Sequence, residues 1–210
     1  MVGTAQAQTF PATPGTLGTI PDGPGTPTTC GSDGVPLVVE FEVSSLAEVI
    51  GLIYIDLTAS HTWVGDVSAV LAAPGGTPSA PLFGHTGSLA PTACGDSSDL
   101  GATYTFADGS TNLNWLTAAQ TFDPIPAGVY NASEFGGDAT PEESILLGDA
   151  FRWMAPADTN GTWTLTVIDS GVGDTGAITA AGLNISLESG TIFTDRFESG
   201  DTSAWSVAVP

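Results

Sequence analysis

The sequence predicts an all-β fold, an antiparallel β-sandwich or jelly roll, on three observations. About seven or eight short segments alternate apolar and polar side chains with a period of two, the pattern of half-buried strands. The 27 Gly and 15 Pro are spread along the 210 residues as turn formers rather than gathered into one linker. No long stretch of 3.6-residue periodicity separates the alternating segments, so parallel βαβ units are not indicated. A chain of this length carries one core of sandwich size.

The elements follow in order. Ala5-Gln6-Ala7 has the small-x-small form of a signal-peptidase site, so residues 1–7 read as a signal-peptide remnant, with a chance match in a starting segment as the alternative. Residues 8–34 form an extended Pro/Gly/Thr-rich arm carrying Phe10, Leu17 and Ile20 as isolated apolar residues. The sandwich itself spans residues 35–190. Its first strand places Val39, Phe41 and Val43 on one face and Glu40 and Glu42 on the other, and VIGLIYIDLT (49–58) is continuously apolar and therefore central. Val67–Ala72 ends at the turn former Pro74-Gly75-Gly76, with shorter strands near 81–83 and 102–106. Residues 107–157 read as an insertion, with a short helix predicted to open at Pro141 before two acids and to stop at Gly148. Trp163, Leu165 and Val167 alternate with threonines in the clearest strand, and Leu183, Ile185 and Leu187 mark the last. Residues 191–210 form an aromatic tail whose Phe193, Phe197 and Trp205 need a surface to bury against.

Charge narrows the function. Twenty-three Asp and Glu stand against Arg152 and Arg196, with no lysine, a formal charge of −21. Nucleic acid is excluded, because a phosphate-tracking surface needs clustered cations. So is an anionic membrane surface. No run of about 20 apolar residues is present to span a bilayer. Cys30 and Cys94 are the only cysteines. In an exported chain they form one disulfide, closing a loop of about 65 residues worth about 4 kcal/mol by chain entropy. Two reduced thiols are the alternative if the protein is not exported.

Several phrases then recur in a familiar order. HTWVGDV (61–67) is followed by APGGT (73–77), and later by GTWTLTVID (161–169) and GDTG (173–176), with IPD at 20–22. Together these resemble the P domain, or homo B domain, of kexin-like and subtilisin-like proprotein convertases, in a bacterial, secreted, stand-alone form. The resemblance covers residues 20–188, departing at Val67, at Ala181-Gly182 and through 107–157. It implies a jelly-roll sandwich outside the cell or at its surface. It also implies possible calcium, since it brings the turn residues Asp66, Asp99, Asp108, Asp169 and Asp174 near one another; the alternative is that Asp66 and Asp174 accept backbone N–H bonds in tight turns.

Catalysis is not indicated. His61 and His85 are the only histidines. GHTGS (84–88) lacks any serine-nucleophile segment to complete it, and His61 is placed as a brace for its turn. Three functions compete. The first is a non-catalytic extracellular structural or binding subunit, self-assembling with copies of itself. The second is an accessory domain partnering a subtilisin-like protease. The third is a carbohydrate-binding module using Trp63, Trp115 or Trp205 as platforms.

Overall fold

The computed structural model describes residues 7–24, 29–90, 92–109, 111–136 and 144–188. The tail 191–210, with Trp205, and residues 1–6 of the expected signal-peptide remnant lie outside them. Two sheets face one another. The larger runs β1 (Gln8–Pro11), β12 (Gly176–Glu188), β4 (Val49–His61), β7 (Leu100–Ala107) and β8 (Gly128–Tyr130), with β2 (Gly18–Ile20) also on β12. The smaller runs β3 (Leu37–Val43), β11 (Gly161–Asp169), β5 (Val67–Ala72) and β6 (Ser79–Gly84). Neighbours are antiparallel throughout these sheets except β7 with β8. The all-β sandwich is therefore the observed fold.

Alternation explains why these segments became strands. On β3, Val39, Phe41 and Val43 are fully buried while Glu42 faces solvent, accepting a 2.9 Å bond from Thr162 Oγ1 directly across the ladder. On β11, Trp163, Leu165 and Val167 are buried in the same phase. The apolar run in β4 has a local cause: the β12 register jumps from Leu187↔Ile50 to Ser186↔Leu52, leaving Gly51 as the extra residue of a bulge. The bulge resets the pleat, so Ile50 and Ile53 both point inward although three residues apart, and Leu52 is turned out to solvent.

The N-terminal arm does not hang free where it is described. β1 pairs with the outer edge of β12 in register Gln8↔Ile185 to Pro11↔Gly182, and Ala12 bridges to Phe41 of β3. The arm thus crosses from one sheet to the other along a side of the sandwich.

Residues 107–157 depart most from the sequence expectations. They build α1 (Trp115–Thr121), β8, a small ribbon of β9 (Ala132–Ser133) and β10 (Ser144–Ile145), α2 (Leu147–Phe151) and α3 (Pro156–Thr159). The expected helix opening at Pro141 lies outside the described residues; Ser144–Ile145 are strand rather than helix, and α2 begins at Leu147 with Gly148 inside its first turn. The reason is distant in sequence. Both carboxylate oxygens of Asp108 accept the Leu147 and Gly148 N–H groups, each at 2.7 Å, supplying the cap that the local residues lack. α1 is capped locally, by Asn114 Oδ1 accepting from Thr117 N–H at 2.8 Å. Trp115 opens α1 and is 1% exposed, packed among Phe83, Tyr104, Phe106 and Tyr130. Its Nε1–H donates to Thr86 Oγ1 at 2.9 Å. Trp115 therefore belongs to the hydrophobic core and is no carbohydrate platform.

Candidate functional site

The phrases quoted from the sequence meet at one end of the sandwich. β4 ends at His61 and β12 starts opposite it, at Gly176. After His61 the chain makes a short 3₁₀ turn, Val64–Asp66, into β5, whose Val67 pairs with Asp169 at the end of β11. Topology thus gathers residues about a hundred positions apart into one patch.

His61 is 1% exposed and wholly engaged. Its Nε2 lies 3.2 Å from Asp169 Oδ2, and its Nδ1 lies 3.2 Å from the Trp63 backbone N. Nδ1 also lies 3.0 Å from the Trp63 carbonyl O: with the proton on Nε2 the ring donates to Asp169 and accepts from the Trp63 N–H, and with a proton on Nδ1 it donates to the Trp63 carbonyl instead. The second oxygen of Asp169 accepts the Gly171 N–H at 2.8 Å, which shapes the following turn as an Asx turn does. Asp66 is 3% exposed, and its Oδ1 lies 2.9 Å from Cys30 Sγ. Cys30 is joined to Cys94 in a disulfide, as expected. A disulfide sulfur has no hydrogen to give, so the form of Asp66 that bonds it is the protonated acid. Burial first, and then the charges of Asp169, Asp174 and Asp22, together raise the Asp66 pKa to about 6, with His61 opposing them. Gly171 packs directly on this carboxyl, leaving no room for a Cβ.

The rim of the patch is wetter. Asp174 Oδ1 accepts from Thr62 Oγ1 at 2.8 Å, Thr62 Oγ1 accepts the Thr175 N–H at 3.1 Å, and Asp22 Oδ1 accepts the Gly173 N–H at 2.9 Å. Asp33 Oδ1 accepts from Ser170 Oγ at 3.0 Å. Of the five carboxylates singled out in the sequence, Asp66, Asp169 and Asp174 come together here. Asp99 and Asp108 do not: the Asp99 N–H donates to Asp123 Oδ1 at 2.9 Å, and Asp108 caps α2. Sequence reasoning passed over Asp22 and Asp33 as members of the patch. The signal for Asp22 was present, since it closes the IPD phrase.

The remaining candidates resolve into structural roles. His85 is 6% exposed, with φ +43° and its ring 4.8 Å from that of Phe135, and burial lowers its pKa. Ser88 Oγ–H is shared between the Ala90 and Ala93 carbonyls at 2.7 and 2.8 Å, so it serves its own turn. Trp63 is half-buried, with Nε1 enclosed and without an acceptor among the described residues. Within β12, where the arm crosses it, Asn184 is 3% exposed, donating to Asp56 Oδ2 at 3.0 Å and accepting from Thr9 Oγ1 at 2.6 Å, so it too is part of the packing. Cys30, Cys94 and Asp66 have ligand atoms within 4.8 Å of one another, but as a disulfide the sulfurs offer no thiolate.

No family model matches the chain, and no curated protein matches it. Among solved structures, it is similar to an Aeromonas sobria serine protease in complex with the chaperone ORF2, at 11% identity and TM-score 0.41, over 88% of this chain and 27% of that one. It is also similar to a serine protease of Aeromonas sobria, at 12% identity and TM-score 0.39, over 87% and 26%. The chain spans about a quarter of the length of these structures.

Proposed function

We propose that this chain is an exported, non-catalytic sandwich of the P-domain type that works by binding protein, either as the companion of a subtilisin-like serine protease or in an assembly of its own copies. One observation carries the reading. The residues shared with the P-domain phrases converge, and three of their ionisable groups, His61, Asp66 and Asp169, point into a sealed brace, each 3% exposed or less, while Asp22 and Asp174 stay on its rim. Groups held this way join strand ends and cannot reach a substrate. What remains for function is the outer surface, and on a chain with no lysine and no accessible histidine that surface suits recognition rather than acid–base or nucleophilic chemistry.

The disulfide supports the exported part of the reading, since such bonds persist in oxidising compartments. Among the described residues, no helix is long and apolar enough to cross a membrane. Calcium belongs to this proposal as a stabiliser of the loop between β11 and β12, taken up at the rim by Asp22 and Asp174 with neighbouring carbonyls.

The test is affinity capture from the source organism's exported proteins, with scattering of the purified chain in calcium and in chelator. Recovery of a subtilisin-like protease, or a concentration-dependent rise in mass, is the expected result. A compact monomer that captures no protease, yet turns over a peptide or ester substrate, overturns the proposal.

A further inference from the structure

At the far end of β12 an open groove of about 440 Å³ lies between the start of β4 and α2, backed by Gly51 and lined by Leu52, Leu146, Asp149, Arg152 and Trp153. Leu52 is 45% exposed, Leu146 42% and Trp153 49%, so its apolar part is open to solvent. Large apolar side chains exposed together, rather than singly, mark a surface that something covers. Trp153 adds a second sign. Its φ of +70° is in the left-handed region, an outlier for a bulky aromatic residue. The backbone is pinned there by Trp153 N–H donating to Ile50 O at 2.9 Å, and the Arg152 guanidinium lies 4.7 Å from the ring centroid. Backbone strain of this kind persists where surroundings over-determine it and gathers at binding sites.

The path of the chain points to the occupant. Glu188, the last residue of β12, accepts a 2.9 Å bond from Arg152 Nη2, and Gly51 abuts Glu188 closely. Glu188 itself thus sits at the rim of the groove, and the chain continues from there. Beyond it the sequence carries Ile192, Phe193, Asp195, Phe197 and Glu198. Phe193 is five residues past Glu188, a reach of up to ~17 Å at the extended limit. Charge favours the same choice. The chain carries −21, and Arg152 is the one lysine or arginine among the described residues. An acidic segment arriving from solution is repelled by the rest of the surface, whereas a tethered one is held at about millimolar effective concentration beside that cation.

We propose that residues 191–197 of this chain's own tail seat in the groove, Phe193 against Trp153, Leu52 and Leu146, with Asp195 beside Arg152.

The sequence supplies its own probe, because trypsin has two sites in the whole chain, Arg152 and Arg196. Full-length protein is digested under native conditions, and cleavage after Arg196 is followed by mass spectrometry beside a free peptide of residues 189–210. A seated tail is cut only from its open fraction, so cleavage in the intact protein is expected at least about tenfold slower than in the peptide. Trp153→Ala and Phe193→Ser each restore the peptide rate. The second alters only the tail and cannot unfold the sandwich, and the thermal melt of each variant confirms the fold. Cleavage at the peptide rate in the unsubstituted protein overturns the proposal, as does protection that survives both substitutions. Protection that grows with protein concentration also overturns it, by placing the tail on a neighbouring copy.

Discussion

Asp66→Asn separates the cost of a buried charge from the shape of the side chain that bears it. Asp66 is 3% exposed and its pKa is raised to about 6 from 3.8, burial being the largest cause. In the unfolded chain the carboxyl ionises as pH passes about 4; in the folded protein it holds its proton until about 6. Stability is therefore lost as pH rises across that window, and the loss is complete above it. A shift of about two units at ~1.4 kcal/mol each corresponds to ~3 kcal/mol. Asn keeps the volume beside Cys30 and Gly171 but cannot ionise. The variant is thus expected to gain about 3 kcal/mol over the parent at about pH 7.5 relative to the same comparison at about pH 3.5, whatever constant difference the amide brings. Guanidinium unfolding of both proteins at both pH values measures it. An equal difference at the two pH values would refute the reasoning, because Asp66 would then ionise as it does in water.

Three further perturbations test the architecture. Cys30→Ala with Cys94→Ser removes the link between residues 64 apart and should lower stability by about 4 kcal/mol at pH 7, read from the unfolding midpoint. Gly171→Ala places a methyl against the Asp66 carboxyl and should destabilise by at least about 2 kcal/mol in the same assay, an effect relieved by Asp66→Ala. Asp108→Ala strips the cap from α2 at a cost of about 1 to 2 kcal/mol, with hydrogen exchange rising first at Leu147 and Gly148.

Sequence carried the sandwich because period-two patterning is local. Val39, Phe41 and Val43, or Trp163, Leu165 and Val167, declare their buried face without reference to any partner. It carried the brace only in part. His61 was read as bracing its turn, but its union with Asp169 across 108 positions depends on β4 and β11 ending at the same level of different sheets. Asp99 and Asp108 look as eligible in sequence as Asp66, since each is an Asp near a turn; distance in the fold separates them. The α2 start was illegible for the same reason, as the Asp108 cap arrives from 39 residues upstream. Trp115 was misplaced because a lone tryptophan in an irregular stretch has no periodicity to declare its face, and only the convergence of Phe83, Tyr104, Phe106 and Tyr130 buries it.

The central claim is that the residues carrying the family resemblance hold this fold together. Denaturant unfolding of His61→Ala at pH 7 tests it most directly, since the substitution leaves Asp169 buried without its partner. A loss of about 3 to 5 kcal/mol, with secondary structure retained at low denaturant, is the predicted result. A variant as stable as the parent would contradict the claim, because the patch would then be free of structural duty and open to a chemical one.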